Sequence, residues 1–186
     1  MFKVAIVGAE ATGKSTLAEN LAKYYQTIWV PEYAREYLTH LGRKYTFDDV
    51  LAIAQGQSKI ISESITQNPF LPIIFIDTEL LVTHIWCEYV FGRHHSWIAE
   101  NLSKQNFDLY LLCNTDLPWE YDVLREQPSL EKRKEIHRLY EFYLRKFHFP
   151  YELIEGKAEQ RLFSAVQAIE KGIKFFDKNS QNEDKC

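Results

Sequence analysis

Cysteine is scarce in this chain of 186 residues: three at wide spacing, with no C-x-x-C pair, give neither a disulfide framework nor a zinc site. Long apolar runs are missing as well. The opening MFKVAIVGAE turns polar at Glu10, too early for an export signal or a membrane span. A reducing, cytoplasmic setting without membrane contact is therefore expected. Positive charge is also in deficit, since 22 Lys and Arg face 26 Asp and Glu for a net charge of −4. That sign argues against nucleic acid as the main partner, because such affinity rests on neutralising phosphates. What remains is 46% apolar, 15% aromatic and 26% charged residues, the balance of a soluble globular domain.

Five short apolar runs alternate with longer helical patterns: Val4–Val7, Ile28–Val30, Ile73–Ile76, Leu109–Leu112 and Tyr151–Ile154. Alternation of this kind predicts a parallel sheet buried between helices, an α/β three-layer sandwich. Helices are expected over Lys14–Tyr25, Glu32–Leu41, Phe47–Thr66, Leu80–Val90, Ser96–Lys104, Leu130–Phe147 and Glu159–Phe175. Thr46 with Asp49 reads as a capping pair, and Ser129 as an N-cap. No internal repeat or second domain is visible. Residues 1–176 are expected to form one domain, with a helical lid near 114–135, and 177–186 a frayed polar tail.

Gly8-Ala9-Glu10-Ala11-Thr12-Gly13-Lys14-Ser15 fits G-x-x-x-x-G-K-[ST], directly after the first strand and before the first helix. Glycines let the backbone turn so that successive N–H groups point at an anion, and the helix start adds its positive dipole end. Lys14 then reaches the β and γ phosphates of a purine nucleotide, and the Ser15 hydroxyl takes a Mg²⁺ position. Asp77, after four apolar residues of the third run, supplies the second metal carboxylate, with Glu79 as its competitor.

A nucleotide loop does not say what receives the phosphate. No N-K-x-D base-reading motif occurs, which argues against a GTPase, and the length leaves little room for motor-ATPase sensor elements. A small-molecule kinase is the leading class. Glu32, in VPEYARE after the second run, is the candidate base for an attacking hydroxyl. Arg125 and Arg133, beyond the fourth run, are candidate lid cations. The alternatives are a kinase of another nucleoside or small alcohol, and a nucleotide-gated regulatory ATPase.

GAEATGKST, VPEYAREYL, FIDTELLVT, WCEYVFG, NTDLPWEYDVLR and IEGKAEQR, in this order from about Phe2 to Ile173, resemble the nicotinamide riboside kinase domain of NadR-type proteins, within the P-loop kinase superfamily. The resemblance implies a P-loop NTPase-like fold with a five-stranded parallel sheet and a helical lid. It also implies ATP- and Mg²⁺-dependent phosphorylation of the ribose 5′-hydroxyl of nicotinamide riboside in NAD salvage. By position it assigns Gly8, Glu10, Ala11, Thr12, Gly13, Lys14, Ser15, Thr16, Arg133, Gly156 and Arg161 to the nucleotide. Glu32, Tyr33, Arg35, Trp119 and Asp122 fall to the acceptor, Lys14, Glu32, Asp77 and Arg125 to catalysis, and Ser15 and Asp77 to the metal. One departure stands out: the family's D-G-x-R in the lid is Asp122-Val123-Leu124-Arg125 here. Because nicotinamide riboside carries a pyridinium cation, aromatic faces and negative charge are expected around it, with Trp119, Tyr33 and Trp86 as aromatic candidates.

Overall fold

The computed structural model describes the backbone of residues 1–183 and the side chains of residues 1–176. Its strands are β1 (Phe2–Val7), β2 (Trp29–Val30), β3 (Ile73–Asp77), β4 (Leu109–Cys113) and β5 (Tyr151–Ile154). Between them run α1 (Lys14–Tyr24), α2 (Tyr33–Leu41), α3 (Phe47–Gln67), α4 (Leu80–Phe91), α5 (Ser96–Leu102), α6 (Leu130–Lys146) and α7 (Ala158–Glu183). All strand pairs are parallel, in the order β2-β3-β1-β4-β5. The first strand is thus central, and the chain crosses from one side of it to the other. Sheets of this kind bind ligands in the crevice beyond the carboxyl ends of the strands at such a switch point.

Period-two alternation sends successive strand residues to opposite faces, and both faces are apolar. Val4, Ile6, Phe75, Leu109 and Leu111 pack with Leu17 and Leu21 of α1 and Ile169 of α7. Ala5, Val7, Ile74, Ile76 and Leu112 face Ile61 of α3, Leu81 and Ile85 of α4, and Tyr140 and Leu144 of α6. Cys87 and Cys113 are buried and free of disulfides, as their spacing predicted. Among the described residues no helix is long and apolar enough to cross a membrane.

Helix ends follow local chemistry. Thr46 and Asp49 close a reciprocal capping box at α3, and Ser129 caps α6 by accepting from the Lys132 amide. The Asp49 carboxyl, held by Arg43, then Thr46 and Tyr37, lies far below the usual carboxylate range.

Three of the differences from the sequence expectations bear on the site or the tail. Glu32 is the N-cap of α2 and not its first turn, with extended backbone. The lid segment expected to be helical is irregular over residues 114–129 and becomes helical only at Leu130, because Pro118 and Pro128 interrupt the stretch. At the other end, α7 continues to Glu183 through residues expected to fray, since neither Pro nor Gly follows Gly172 to stop it. The remainder of the expected tail, residues 184–186 including Cys186, lies outside the described residues.

The position of Glu32 is set from α3. The Tyr33 amide donates to Gln57 Oε1 at 2.7 Å, and Gln57 Nε2 donates to the Pro31 carbonyl at 3.2 Å, gripping the chain on both sides of Glu32. Next to Gln57, Gly56 leaves room for the Tyr33 ring, into which a Cβ there would run. Gly56→Ala is therefore expected to lower stability by roughly 1–3 kcal/mol through overpacking, despite the better helix propensity of alanine. A urea midpoint at or above that of the wild type would contradict this packing.

Candidate active site

The turn from β1 to α1 makes a concave backbone. Gly8 has φ 143° and Gly13 has φ 75°, both outside the range that side chains favour. A Cβ on Gly8 would come within 2.8 Å of the Cys113 carbonyl, so the loop also lies tightly against the end of β4. Ala11 joins the pattern with φ 55°, and the buried Thr12 hydroxyl donates to the Ala9 carbonyl at 2.8 Å. Lys14 Nζ donates to the same carbonyl at 3.0 Å, which holds the ammonium over the loop. Amides, helix dipole and ammonium all favour an anion there.

Asp77 ends β3 in register with Ile6 of β1, one strand spacing from the loop. Its side chain is buried, and neither carboxylate oxygen has a hydrogen-bond partner. Burial first, and then the Glu32 charge, push its carboxyl up to about 6, while Lys14, the Ser15 hydroxyl and Arg35 draw it down. The loop, Glu32 and Asp77 thus share one electrostatic site. Leaving a buried polar group unpaired costs about 1–3 kcal/mol, a strain that functional sites retain. A hard divalent cation suits this donor set, two carboxylate oxygens beside the hydroxyl of the exposed Ser15. Among the described residues no group of three or more His, Cys, Asp or Glu is placed to hold a metal ion.

Two cavities open on opposite sides of the loop. One is lined by Ala11, Gly13, Thr16, Leu117, Arg125 and Arg161. Its far wall is braced: Arg161 ion-pairs with Asp116 and donates to the Gly156 carbonyl at 3.0 Å, while the Gly156 amide donates to Asp116 Oδ2 at 2.7 Å. The other cavity is lined by Gly8, Glu10, Lys14 and Glu32 at one end and by Tyr45, Trp86 and Tyr140 further in. Glu79 and Glu126 also line it. Trp86 Nε1 donates to the Tyr45 hydroxyl at 3.0 Å, which fixes two of the rings.

The site residues expected from sequence are distributed unevenly. Lys14, Ser15, Glu32 and Asp77 converge at the loop, and Arg125 faces the first cavity with Arg161 and Thr16. Arg133 is buried on α6, donates to the Leu117 carbonyl at 3.4 Å and senses the charges of Glu10 and Arg125. Arg35 pairs with Asp122 at 2.7 Å, tying α2 to the lid. Tyr33 packs on α3, and Trp119 stacks edge-on with Tyr121; neither is among the residues lining the two cavities. Sequence reasoning missed Tyr45, Glu126 and Tyr140. Tyr45 abuts the capping box and Glu126 follows Arg125, but no local pattern marks Tyr140 as more than core.

Glu10 does more than sit in the loop. Its carboxylate accepts from the Glu126 amide at 3.0 Å and from the Gln127 amide at 2.8 Å. Charge-assisted bonds of this type are worth roughly 1.5–3 kcal/mol each, against about 0–1 kcal/mol for an exposed pair such as Arg35 with Asp122. The stronger hold on the lid is therefore from Glu10.

Glu79 caps α4, accepting from the Leu81 amide at 2.8 Å, while its Oε1 is buried without a partner. Burial pushes its carboxyl up from 4.5 to about 8. Below pH 4.5 folded and unfolded chains both hold the proton; as pH rises to about 8 only the unfolded chain ionises, so stability falls across that window. Glu79→Gln keeps the cap and removes the ionisation. Thermal melts should show the variant ahead by on the order of a few kcal/mol at pH 8 and level near pH 4.5. A wild-type advantage at pH 8 would refute a buried, protonated Glu79.

Comparison with known proteins completes the picture. A family model described as AAA domain matches residues 3–161. The trifunctional NAD biosynthesis/regulator protein NadR of Escherichia coli (strain K12) is 34% identical over 140 residues, which is 73% of this chain and 34% of that protein. The chain thus spans about a third of the length of that relative. A crystal structure of NadR in complex with NR shares the fold at a TM-score of 0.77 and 22% identity, covering 91% of this chain and 49% of that one. A NadR complex with NAD and AMP-PNP aligns at a TM-score of 0.73 and 23% identity, with the same coverage of 91% and 49%. The loop at Gly8–Ser15, the matched family model and the 34% identical relative together make this chain a member of the AAA-domain family of P-loop proteins and a homologue of NadR.

Proposed function

We propose that this protein is an ATP-dependent kinase that phosphorylates the 5′-hydroxyl of nicotinamide riboside. The observation that carries this reading is the charge of the second cavity. With Glu79 protonated at neutral pH, three carboxylates, Glu10, Glu32 and Glu126, face one ammonium, Lys14, and three aromatic residues complete the wall. An acceptor with a fixed positive charge on an aromatic ring suits that lining through cation–π and Coulomb attraction, which a neutral nucleoside lacks. The NadR relatives supply the acceptor's identity: one bears NAD biosynthesis in its name, and a solved NadR holds NR.

The first cavity takes the nucleotide. Its base lies toward Gly156 and Arg161, and its phosphates lie on the amides of Gly8–Ser15 with Lys14 and Arg125 over the terminal groups. A NadR complex with AMP-PNP supports this use of the loop. Ser15 and Asp77 would hold Mg²⁺, which would supply neutralising charge for the phosphate oxygens. Glu32 faces the acceptor cavity beside Lys14 and accepts the 5′-hydroxyl proton as that oxygen bonds to the γ-phosphorus and the bond to the β–γ bridging oxygen breaks. Tyr33 and Arg35 act through α2, and Arg35 with Asp122 draws the lid over the acceptor. Trp119, outside the cavity lining, anchors the lid together with Tyr121. The partners are small molecules in a cytoplasmic setting, and the net charge of −4 keeps nucleic acid an improbable ligand.

An acceptor panel with Mg-ATP tests the reading. Nicotinamide riboside should be preferred by at least about ten-fold in kcat/KM over neutral purine and pyrimidine nucleosides, the discrimination that about 1.4 kcal/mol of cation recognition provides. A neutral nucleoside turned over faster would move the assignment to another nucleoside kinase. Tight nucleotide binding with no acceptor-stimulated ADP release would favour a regulatory ATPase.

A further inference from the structure

Residues 122–127 of the lid form a strap between the two cavities, opening with a turn in which the Arg125 amide donates to the Asp122 carbonyl at 3.0 Å. Leu124 and Glu126 line the acceptor cavity, whereas Arg125 between them lines the nucleotide cavity. The sorting therefore depends on how the strap beyond that turn is rotated against the phosphate loop. A rotation away from this arrangement would withdraw Arg125 from the nucleotide cavity, where Arg161 would remain. Bonds internal to the strap shape it without fixing that rotation: the Leu124 amide donates to Asp122 Oδ1 at 3.0 Å, and Arg125 Nη1 donates to the Glu120 carbonyl at 2.6 Å. The rest of the site holds the lid through Arg161 and the Gly156 amide on Asp116, the exposed Arg35 on Asp122, Arg133 on the Leu117 carbonyl at 3.4 Å, the Tyr45 hydroxyl on the Glu126 side chain, and Glu10, which grips the strap backbone next to Arg125.

We propose that Glu10 is a positioning residue of the transfer reaction: by holding the Glu126 and Gln127 amides on the phosphate loop, it fixes Arg125 over the nucleotide and closes the acceptor cavity with Leu124 and Glu126, so that the γ-phosphoryl passes to the acceptor alcohol and not to water. The inference rests on the kinase reading above and adds a role for a loop side chain that the motif leaves unspecified. The same grip joins the element that holds the phosphates to the element that carries Arg125, so both cavities are completed together. Burial raises the Glu10 carboxyl above its usual value, while the Gln127 and Glu126 amides and the Lys14 charge draw it back toward the charged, accepting form. If the grip is lost, water reaches the γ-phosphorus; its attack breaks the same bond to the bridging oxygen and yields ADP, inorganic phosphate and a proton.

The test compares wild type with Glu10→Ala and with Glu10→Gln, which keeps the shape and one accepting oxygen. Hydrogen exchange of the Glu126 and Gln127 amides in the nucleotide-free protein should quicken by at least about ten-fold in Glu10→Ala and less in Glu10→Gln. With nicotinamide riboside and Mg-ATP, the ratio of ADP to phosphorylated riboside should rise from equimolar by roughly two-fold or more in the same order. Unchanged exchange in either variant with a native melting curve overturns the grip. Faster exchange with an equimolar ratio overturns its role in directing transfer. If wild type itself phosphorylates no riboside, the kinase reading fails instead, and the exchange measurement still decides whether Glu10 holds the strap.

Discussion

The rest of the site depends on one arrangement: a turn of inward-facing amides with an ammonium above it, set beside a carboxylate that has been buried without a partner. Each half is costly alone. Gly8, Ala11 and Gly13 hold left-handed backbone, and Asp77 pays desolvation with neither oxygen bonded. A polyphosphate with a divalent cation relieves both at once, because the phosphates satisfy the amides and the metal satisfies the carboxylate. The parallel sheet is what makes this juxtaposition possible. With β1 central and β3 next to it in register, the two strands deliver the loop and the acid to the same edge.

Around that centre the protein separates two chemistries. Cationic side chains, Arg125 and Arg161, line one cavity, and carboxylates with aromatic rings line the other. Lys14, beside those carboxylates, supplies the positive charge that the proposed transfer of a phosphoryl group needs. The elements that shape the acceptor side, α2 and the lid, are joined to the scaffold by few bonds. Gln57 grips the chain around Glu32, Arg35 reaches Asp122, and Glu10 reaches across to the strap. Such lightly tethered segments are drawn from the less stable parts of a fold, as residues that must admit and release substrate require.

Much of this was legible in the residues. Five β-branched runs announced five strands, and the glycine-lysine turn together with Asp77 announced the phosphate side, because backbone conformations and buried acids have narrow chemical solutions. Thr46 with Asp49 and Ser129 marked true helix starts for the same reason. The acceptor side was less legible. Trp86 was an aromatic candidate and does line the wall, but Tyr45, Glu126 and Tyr140 come from three separate segments, and nothing in local spacing tells that they join it. Trp119 looked like a wall residue from its acidic neighbours but lies outside the lining, since the prolines around it lead the lid away as irregular chain. The course of α7 past Phe175 was missed because polarity was read as fraying, although polarity alone does not end a helix that meets no glycine or proline.

The most direct measurement is a crystal structure with Mg²⁺ and a non-hydrolysable ATP analogue. The account predicts β and γ phosphates cradled by the amides of the Gly8–Ser15 loop. Lys14 Nζ should have left the Ala9 carbonyl for their oxygens, and Asp77 should lie within one water of the metal. A nucleotide bound elsewhere, or phosphates on this loop with Lys14 still on Ala9 and Asp77 unengaged, would contradict it.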